Sequence, residues 1–385
     1  MRHTLLPSRR GFLKAAAATA TGVVLPAWAF KQAPAVIVSA AERPQALQGL
    51  HFGDPAYGSA VVWSRSDRPA RMLVDWSYNE SFTNARRLVG PHALETTDFT
   101  PRQDLDGLEP GSEVFVRVAF QSLDNSRALS EPVRGRFVVL PAPLFFIHSG
   151  DTIYADGPIA ASVVAENGLV WNNLVTAEVS KVAETLEEFR GRHRYNLLDE
   201  NVRRFNAEVP QIWQWDDHEV TNNWSDAKNL SGDSRYTEKN VPLLIARGAR
   251  AFLEYAPMRP FDAREAQRVY RKYSYGPLLE LFVLDMRSYR GPNSTNLQTA
   301  PSEQTLFLGR EQLDWLKAGL EDSRAVWKVV AAPSTPAASV PTHWTAPSAR
   351  RWCSTRRRRQ DSRTCRPSAA CSSSARSTSR RRAAT

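Results

Sequence analysis

The chain has 385 residues, 42% of them hydrophobic, which suffices for one large or two ordinary domains with a sizeable core. The formal charge of +10 misdescribes the body: residues 1–30 carry four bases and no acid, residues 331–385 carry 12 Arg and one acid (Asp361), and 31–330 is net −5. That distribution argues against a basic nucleic-acid face on the folded part. All three cysteines (Cys353, Cys365, Cys371) lie near the C-terminus, which argues against a disulfide scaffold, a thiolate metal site or a cysteine enzyme in the body.

In chain order, Ser8-Arg9-Arg10-Gly11-Phe12-Leu13-Lys14, an Ala-rich apolar run and Ala27-Trp28-Ala29 read as a twin-arginine export signal over 1–29. The expected partner is the twin-arginine translocase and the expected location periplasmic or secreted, with no stable membrane span after cleavage. Residues 45–140 read as an all-β domain. Ala60–Trp63, Met72–Trp76, Val114–Phe120 and Arg136–Leu140 have strand patterns, and Ser66–Pro69 and Leu108–Gly111 carry turn chemistry. The Pro110-Gly111 pair suits the centre of a type II turn, and the stretch 108–118 resembles fibronectin type III domains.

From Leu144 the pattern becomes mixed α/β, assigned to 141–332. Leu144–His148 and Pro210–Trp215 read as strands. Val179, Val182, Leu186 and Phe189 predict a helix. Arg268–Tyr275 and Leu279–Asp285 predict a hairpin around Gly276-Pro277. Leu313, Leu316 and Leu320 predict a helix before a buried strand at Val326–Val330. Residues 333–385, rich in Ser, Ala, Pro and Arg, cannot bury enough apolar surface to offset their ordering entropy and read as disordered, with a shifted reading frame as one origin.

Two clusters sit where strands end. In Gly150-Asp151-Thr152-Ile153-Tyr154, a carboxylate just past a strand suits a hard cation, and the phenol three residues on can turn back to the same ion. In Trp215-Asp216-Asp217-His218-Glu219-Val220-Thr221-Asn222-Asn223-Trp224, carboxylates, amides and an imidazole are packed too densely for a core, and the flanking tryptophans are out of place in a solvated turn. Asp216, Asn223 and Asp285 are further candidates for the metal or its surroundings, and Arg287 for clamping a phosphate. His51, His92, His148 and His193 lack carboxylate neighbours at ligand spacing and read as structural or exposed.

Together with Gly53-Asp54-Pro55, Leu284–Arg290, Leu308-Gly309 and Trp327–Val330, these motifs make the chain similar to the alkaline phosphatase D family of the metallophosphoesterase superfamily, over about 49–332. The resemblance implies an N-terminal fibronectin III/Ig-like sandwich followed by a partial metallophosphoesterase domain, a two-sheet α/β sandwich. It implies an exported, metal-dependent hydrolase of phosphate monoesters or diesters, with iron and calcium, or another divalent metal, as cofactors. Asp151 and Asp217 would be metal ligands, Tyr154 the ligand of a ferric-type ion, and His218 the catalytic histidine. Two segments depart from that pattern. Only Pro141-Ala142-Pro143 separates the Arg136–Leu140 strand from Leu144, where the family has a further strand, ligand turn and helix. After Val330 the family's later His-bearing loops do not follow. A catalytically inactive remnant is the alternative reading, and a fibronectin-like surface-binding protein a third.

Overall fold

A computed structural model describes residues 38–139, 144–225, 227–294 and 297–333. The twin-arginine segment, the Pro141–Pro143 junction and nearly all of the Arg-rich tail lie outside these residues. No helix among the described residues is long and apolar enough to cross a membrane.

The described chain is mostly β, in several sheets. Strands β1 (Leu50–Ala56), β2 (Ser59–Ser64), β3 (Ala70–Ser77), β4 (Arg86–Ala93), β5 (Arg102–Leu105), β6 (Glu113–Ser122) and β7 (Val133–Val138) form the first half. β4-β3-β6-β7 is an antiparallel sheet, and β5-β2-β1 belongs to a second one. Period-two patterning decides which face is covered. In β6 the alternating Val114, Val116, Val118 and Phe120 are buried, and they meet Phe52, Val62, Met72 and Trp76 in one core between the two sheets. Each such side chain contributes roughly 1.5–3 kcal/mol by leaving water. Glu109–Ser112 is the expected turn: Gly111 has φ +80°, and the Ser112 amide donates to the Glu109 carbonyl.

The second sheet does not end with the N-terminal strands. Its order is β5-β2-β1-β11-β8, with β8 (Phe146–Ser149) and β11 (Gln211–Gln214) both parallel additions. Parallel neighbours need a long crossover, and residues 150–210 supply it with α1 (Leu186–Asn196) and α2 (Glu200–Glu208). A third sheet, β12-β13-β14 (Arg271–Tyr275, Leu279–Val283, Trp327–Ala331), packs Tyr273, Tyr275, Leu281 and Val283 against Ile212 of β11. Helices α3 (Val241–Tyr255) and α4 (Arg310–Asp322) and a hairpin of β9 (Ser162–Val164) and β10 (Val170–Asn172) are the other main elements.

Two expectations are corrected. The helix foreseen from Val179 starts at Leu186, because Thr185 and Glu188 form a capping box that fixes its first turn; 177–179 is a short 3-10 turn instead. The Val326–Val330 strand forms, but Val326 and Trp327 are 68% and 69% exposed, since among the described residues β14 is an outer strand of its sheet. One sheet takes its strands from both sides of the 140–141 boundary.

Buried polar ties reinforce that continuity. Asp98 receives Arg65 Nη2 at 2.8 Å, Arg194 Nη1 of α1 at 2.8 Å and the Tyr255 hydroxyl of α3. The Trp63 indole of β2 donates to the Glu254 carbonyl at 2.8 Å. Asp54, at φ +44° in β1, accepts from Arg271 Nη1 at 3.2 Å and from the Tyr273 hydroxyl. Each tie crosses more than 100 residues of sequence or closes two elements into one body.

Candidate metal centre

β8 and β11 pair in parallel with Ser149 opposite Gln214. The loops that leave them, 150–157 and 215–224, therefore emerge abreast at the same sheet end, the usual place for a site in α/β folds. Gly150 sits at φ +89°, and a Cβ there would lie 2.6 Å from the Asp216 Cβ and 2.7 Å from its backbone nitrogen. Only glycine lets the two loops approach this closely. Asp151 follows in the left-handed region, φ +55°, which turns its carboxylate toward the second loop.

The loops are tied by Glu219, which is fully buried. Its carboxylate accepts from the Thr152 amide (2.5 Å), the Thr152 hydroxyl (2.8 Å) and the Asp216 amide (2.9 Å). Burial pushes its pKa up to about 7, against the pull of those three donors.

Asp151, Tyr154, Asp217 and His218 converge. One ligand atom each from Asp151, Asp217 and His218 lies within 4.8 Å of the other two. The Tyr154 hydroxyl donates to Asp151 Oδ2 at 3.1 Å, and its ring stacks on His218 at 4.3 Å. Burial and then the Asp151 hydrogen bond raise the Tyr154 pKa, so without a cation the phenol keeps its proton. Asp217 Oδ2 accepts from the Asn223 amide. The His218 Nδ1 lies 2.8 Å from Asp156 Oδ1. Burial lowers the His218 pKa, but the Asp156 hydrogen bond and the surrounding carboxylates outweigh it, and the net shift is upward.

The remaining candidates take other places. Asp216 Oδ1 accepts from Arg287 Nε at 2.6 Å in a fully buried ion pair; burial nevertheless raises its pKa. Arg287 Nη2 lies 3.6 Å from Asp217 Oδ1, so this guanidinium borders the cluster. Asn223 contributes its backbone amide. Asp285 accepts from the amides of Arg287 and Ser288 at 2.9 Å each and holds its own loop. His51 and His193 are buried and His92 is exposed.

Asp156 escaped the sequence reading, and Glu219, although part of the second cluster, was assigned no role. Asp156 also accepts the Asn222 amide at 2.6 Å, so one carboxylate fixes both the imidazole and the loop carrying it. The available signal was a carboxylate five positions after Asp151 in the same loop, and a second one directly after His218.

The donor set fits one hard cation. Asp151 Oδ1 is buried with no hydrogen-bond partner, beside a second carboxylate and an imidazole. Such an oxygen is costly to leave unmatched, and carboxylate and phenol oxygens are what a hard ion prefers.

The family model of the PhoD-like phosphatases matches residues 136–369, and the model of their N-terminal domain matches 31–141. The chain belongs to the PhoD-like phosphatase family. Alkaline phosphatase D of Bacillus subtilis (strain 168) is 28% identical over 339 residues, 74% of this chain and 54% of that one. A solved structure titled "Structure of PhoD" superposes with a TM-score of 0.59 at 25% identity, covering 76% of this chain and 63% of that one. The chain thus spans about half the length of the curated relative it matches.

Proposed function

We propose that this PhoD-like phosphatase hydrolyses phosphate monoesters or diesters with metal held at Asp151, Asp217 and Tyr154, and His218 as the catalytic histidine. The observation that carries the reading is the clustering of the Asp151 carboxylate, one of whose oxygens is buried and unmatched, with Asp217 and His218 of the neighbouring loop. Iron and calcium are the cofactors proposed; bound metal would polarise the phosphoryl group and supply an activated water. Among the chain's own groups, Asp156 keeps His218 oriented through Nδ1, which frees Nε2 to give a proton to the leaving alkoxide. Tyr154 loses its proton only on taking a cation, since Asp151 and burial otherwise hold the phenol protonated. Arg287 stabilises charge on the phosphoryl oxygens from the Asp217 side.

We also read 45–140 as a fibronectin III/Ig-like sandwich, on the strength of two sheets enclosing one core, and 141–332 as part of a two-sheet metallophosphoesterase domain, supported by the packing of β12 and β13 on β11. Export through the twin-arginine translocase, with cleavage after Ala29, completes the proposal and rests on Ser8–Lys14 and Ala27–Ala29.

An inactive remnant is favoured by one feature: among the described residues a single group of three metal-ligating side chains is found, enough for one ion. Metal retention after dialysis against iron and calcium, together with turnover of an aryl phosphate monoester and diester, separates the two. Retained metal and turnover, both lost in Asp151→Asn, support the enzyme. Absence of both in the full chain establishes the remnant.

A further inference from the structure

Next to the carboxylate cluster, on the far side of the Arg287 guanidinium, lies a cavity of about 450 Å³. Its walls differ in chemistry from the cluster. Trp215, Trp224, Arg287 and Arg290 line it, and every one of these side chains carries an N–H group with no acceptor: both indole nitrogens, Arg287 Nη1 and Nη2, and Arg290 Nε. Trp215, Trp224 and Arg287 are each at least 97% buried. Arg287 Nε is satisfied by Asp216 at 2.6 Å, whereas Nη2 stands 3.6 Å from Asp217, beyond hydrogen-bond reach. The two carboxylates near the cluster therefore do not use up the donors.

Buried polar groups are ordinarily matched, and here the unmatched ones are all donors around one space. The charges on the outer wall do not supply the missing acceptor. Glu265 is taken by Arg268 Nη1 at 3.1 Å, and the Arg268 guanidinium in turn stacks 3.8 Å from the Tyr270 ring centre. Arg290 lies over the Phe307 ring, and burial and the nearby Arg287 charge hold it below the usual arginine range. These N–H groups are enclosed as the structure stands; an oxyanion that draws the Arg287 and Arg290 guanidinium groups toward the cavity would accept N–H bonds from both and separate two repelling cations. The opposite wall is apolar: Pro242, Ile245, Ala246 and Ala249 of α3 line it. A ligand matching both walls has an oxyanion at one end and an apolar, ring-sized body at the other.

We propose that this cavity is a binding site for an organic oxyanion, its charged group held by Arg287, Arg290 and the indole N–H groups and its apolar body lodged against α3. In the phosphatase reading it would accommodate a phosphate ester's leaving group that itself bears an oxyanion. Only that use in turnover rests on the phosphatase reading; the binding itself does not require metal.

The test is calorimetric titration, followed in parallel by tryptophan fluorescence, on the full chain stripped of metal with a chelator. The probes are phenylphosphonate and inorganic phosphate. Phenylphosphonate is expected to bind at least tenfold tighter than phosphate and to shift the tryptophan emission. Arg290→Gln, at a partly exposed side chain, should weaken it at least tenfold, and Asp151→Asn should change it less than twofold. Should Arg290→Gln fail to fold, Trp224→Phe, which puts a phenyl ring in place of the indole and removes the N–H, should weaken binding about threefold. Equal affinity for the two probes, no binding, or binding lost in Asp151→Asn but kept in the cavity variants would overturn the proposal. Loss of turnover with binding intact would instead count against the phosphatase reading alone.

Discussion

Glu219 is the side chain through which the two ligand-bearing loops hold each other, and removing it makes the sharpest test of how the site is built. In Glu219→Ala the Thr152 and Asp216 amides and the Thr152 hydroxyl lose their common acceptor inside a region with no solvent access. A stranded buried donor costs about 1–3 kcal/mol. Three of them around one void, partly relieved by an entering water, give about 3–5 kcal/mol of lost stability. Glu219→Gln keeps one acceptor oxygen but turns an NH2 toward a donor, so its cost should fall between, about 1–3 kcal/mol. Urea unfolding of the three proteins at fixed pH measures both values. The loops should also part, and terbium or iron affinity should fall at least tenfold in Glu219→Ala. A cost below 1 kcal/mol for Glu219→Ala, or Gln proving worse than Ala, would refute the brace.

Asp98→Asn should destabilise by about 3–5 kcal/mol at neutral pH, because it strands Arg65 and Arg194 at a buried position. Burial raises the Asp98 pKa, but the hydrogen bonds from Arg65 and Tyr255 and the Arg65 and Arg194 charges overcome it, so the folded value lies below the unfolded one. Its stabilisation is accordingly full above the unfolded value near 4 and fades as pH falls through the folded value; urea midpoints of the two proteins should converge only in acid. Asp156→Asn should bring the His218 titration down toward or below the usual histidine value, read by NMR of the ring protons, since the Asp156 contact is the largest factor holding it up; an unmoved titration would count against the pairing. Gly150→Ala should abolish metal binding and cost at least 3 kcal/mol by calorimetric melting, as the new Cβ meets Asp216 at 2.6 Å in a left-handed backbone.

How far the sequence could be read follows from which interactions are local. Strands β2, β3 and β6, the last alternating cleanly, lie within one residue or two of their expected ends. Gly150, Asp151, Tyr154, Asp217 and His218 stood out because chemistry-bearing residues were dense at strand ends. Helix α3 was passed over although Asn240 caps it, Pro242 sits in its first turn and its buried Val241, Leu244, Ala251, Phe252 and Tyr255 recur at helical spacing. The β9–β10 hairpin (Ser162–Val164 and Val170–Asn172) was missed as well, although Asn167-Gly168 marks its turn. The presence of carboxylates at Asp156 and Glu219 was legible beside the two clusters, but the partners of Asp156, Glu219 and Asp98 were not. Each depends on a partner that is distant in the chain or a backbone amide brought up by the fold, and no residue spacing encodes that.

The sheet shared by β1, β11 and β8 carries a practical consequence for anyone dividing this protein. The matches of the two family models meet at residues 136–141, yet a cut there separates β1 from β11, its hydrogen-bonded neighbour. A fragment ending near 140 would keep β1 with one margin bare, and a fragment starting there would offer β11 stripped of its neighbour. Open strand margins of this kind recruit other chains. The two halves are thus better regarded as halves of one folding unit: produced singly they should self-associate, and produced together they should find each other again along Gly53 and Gln211.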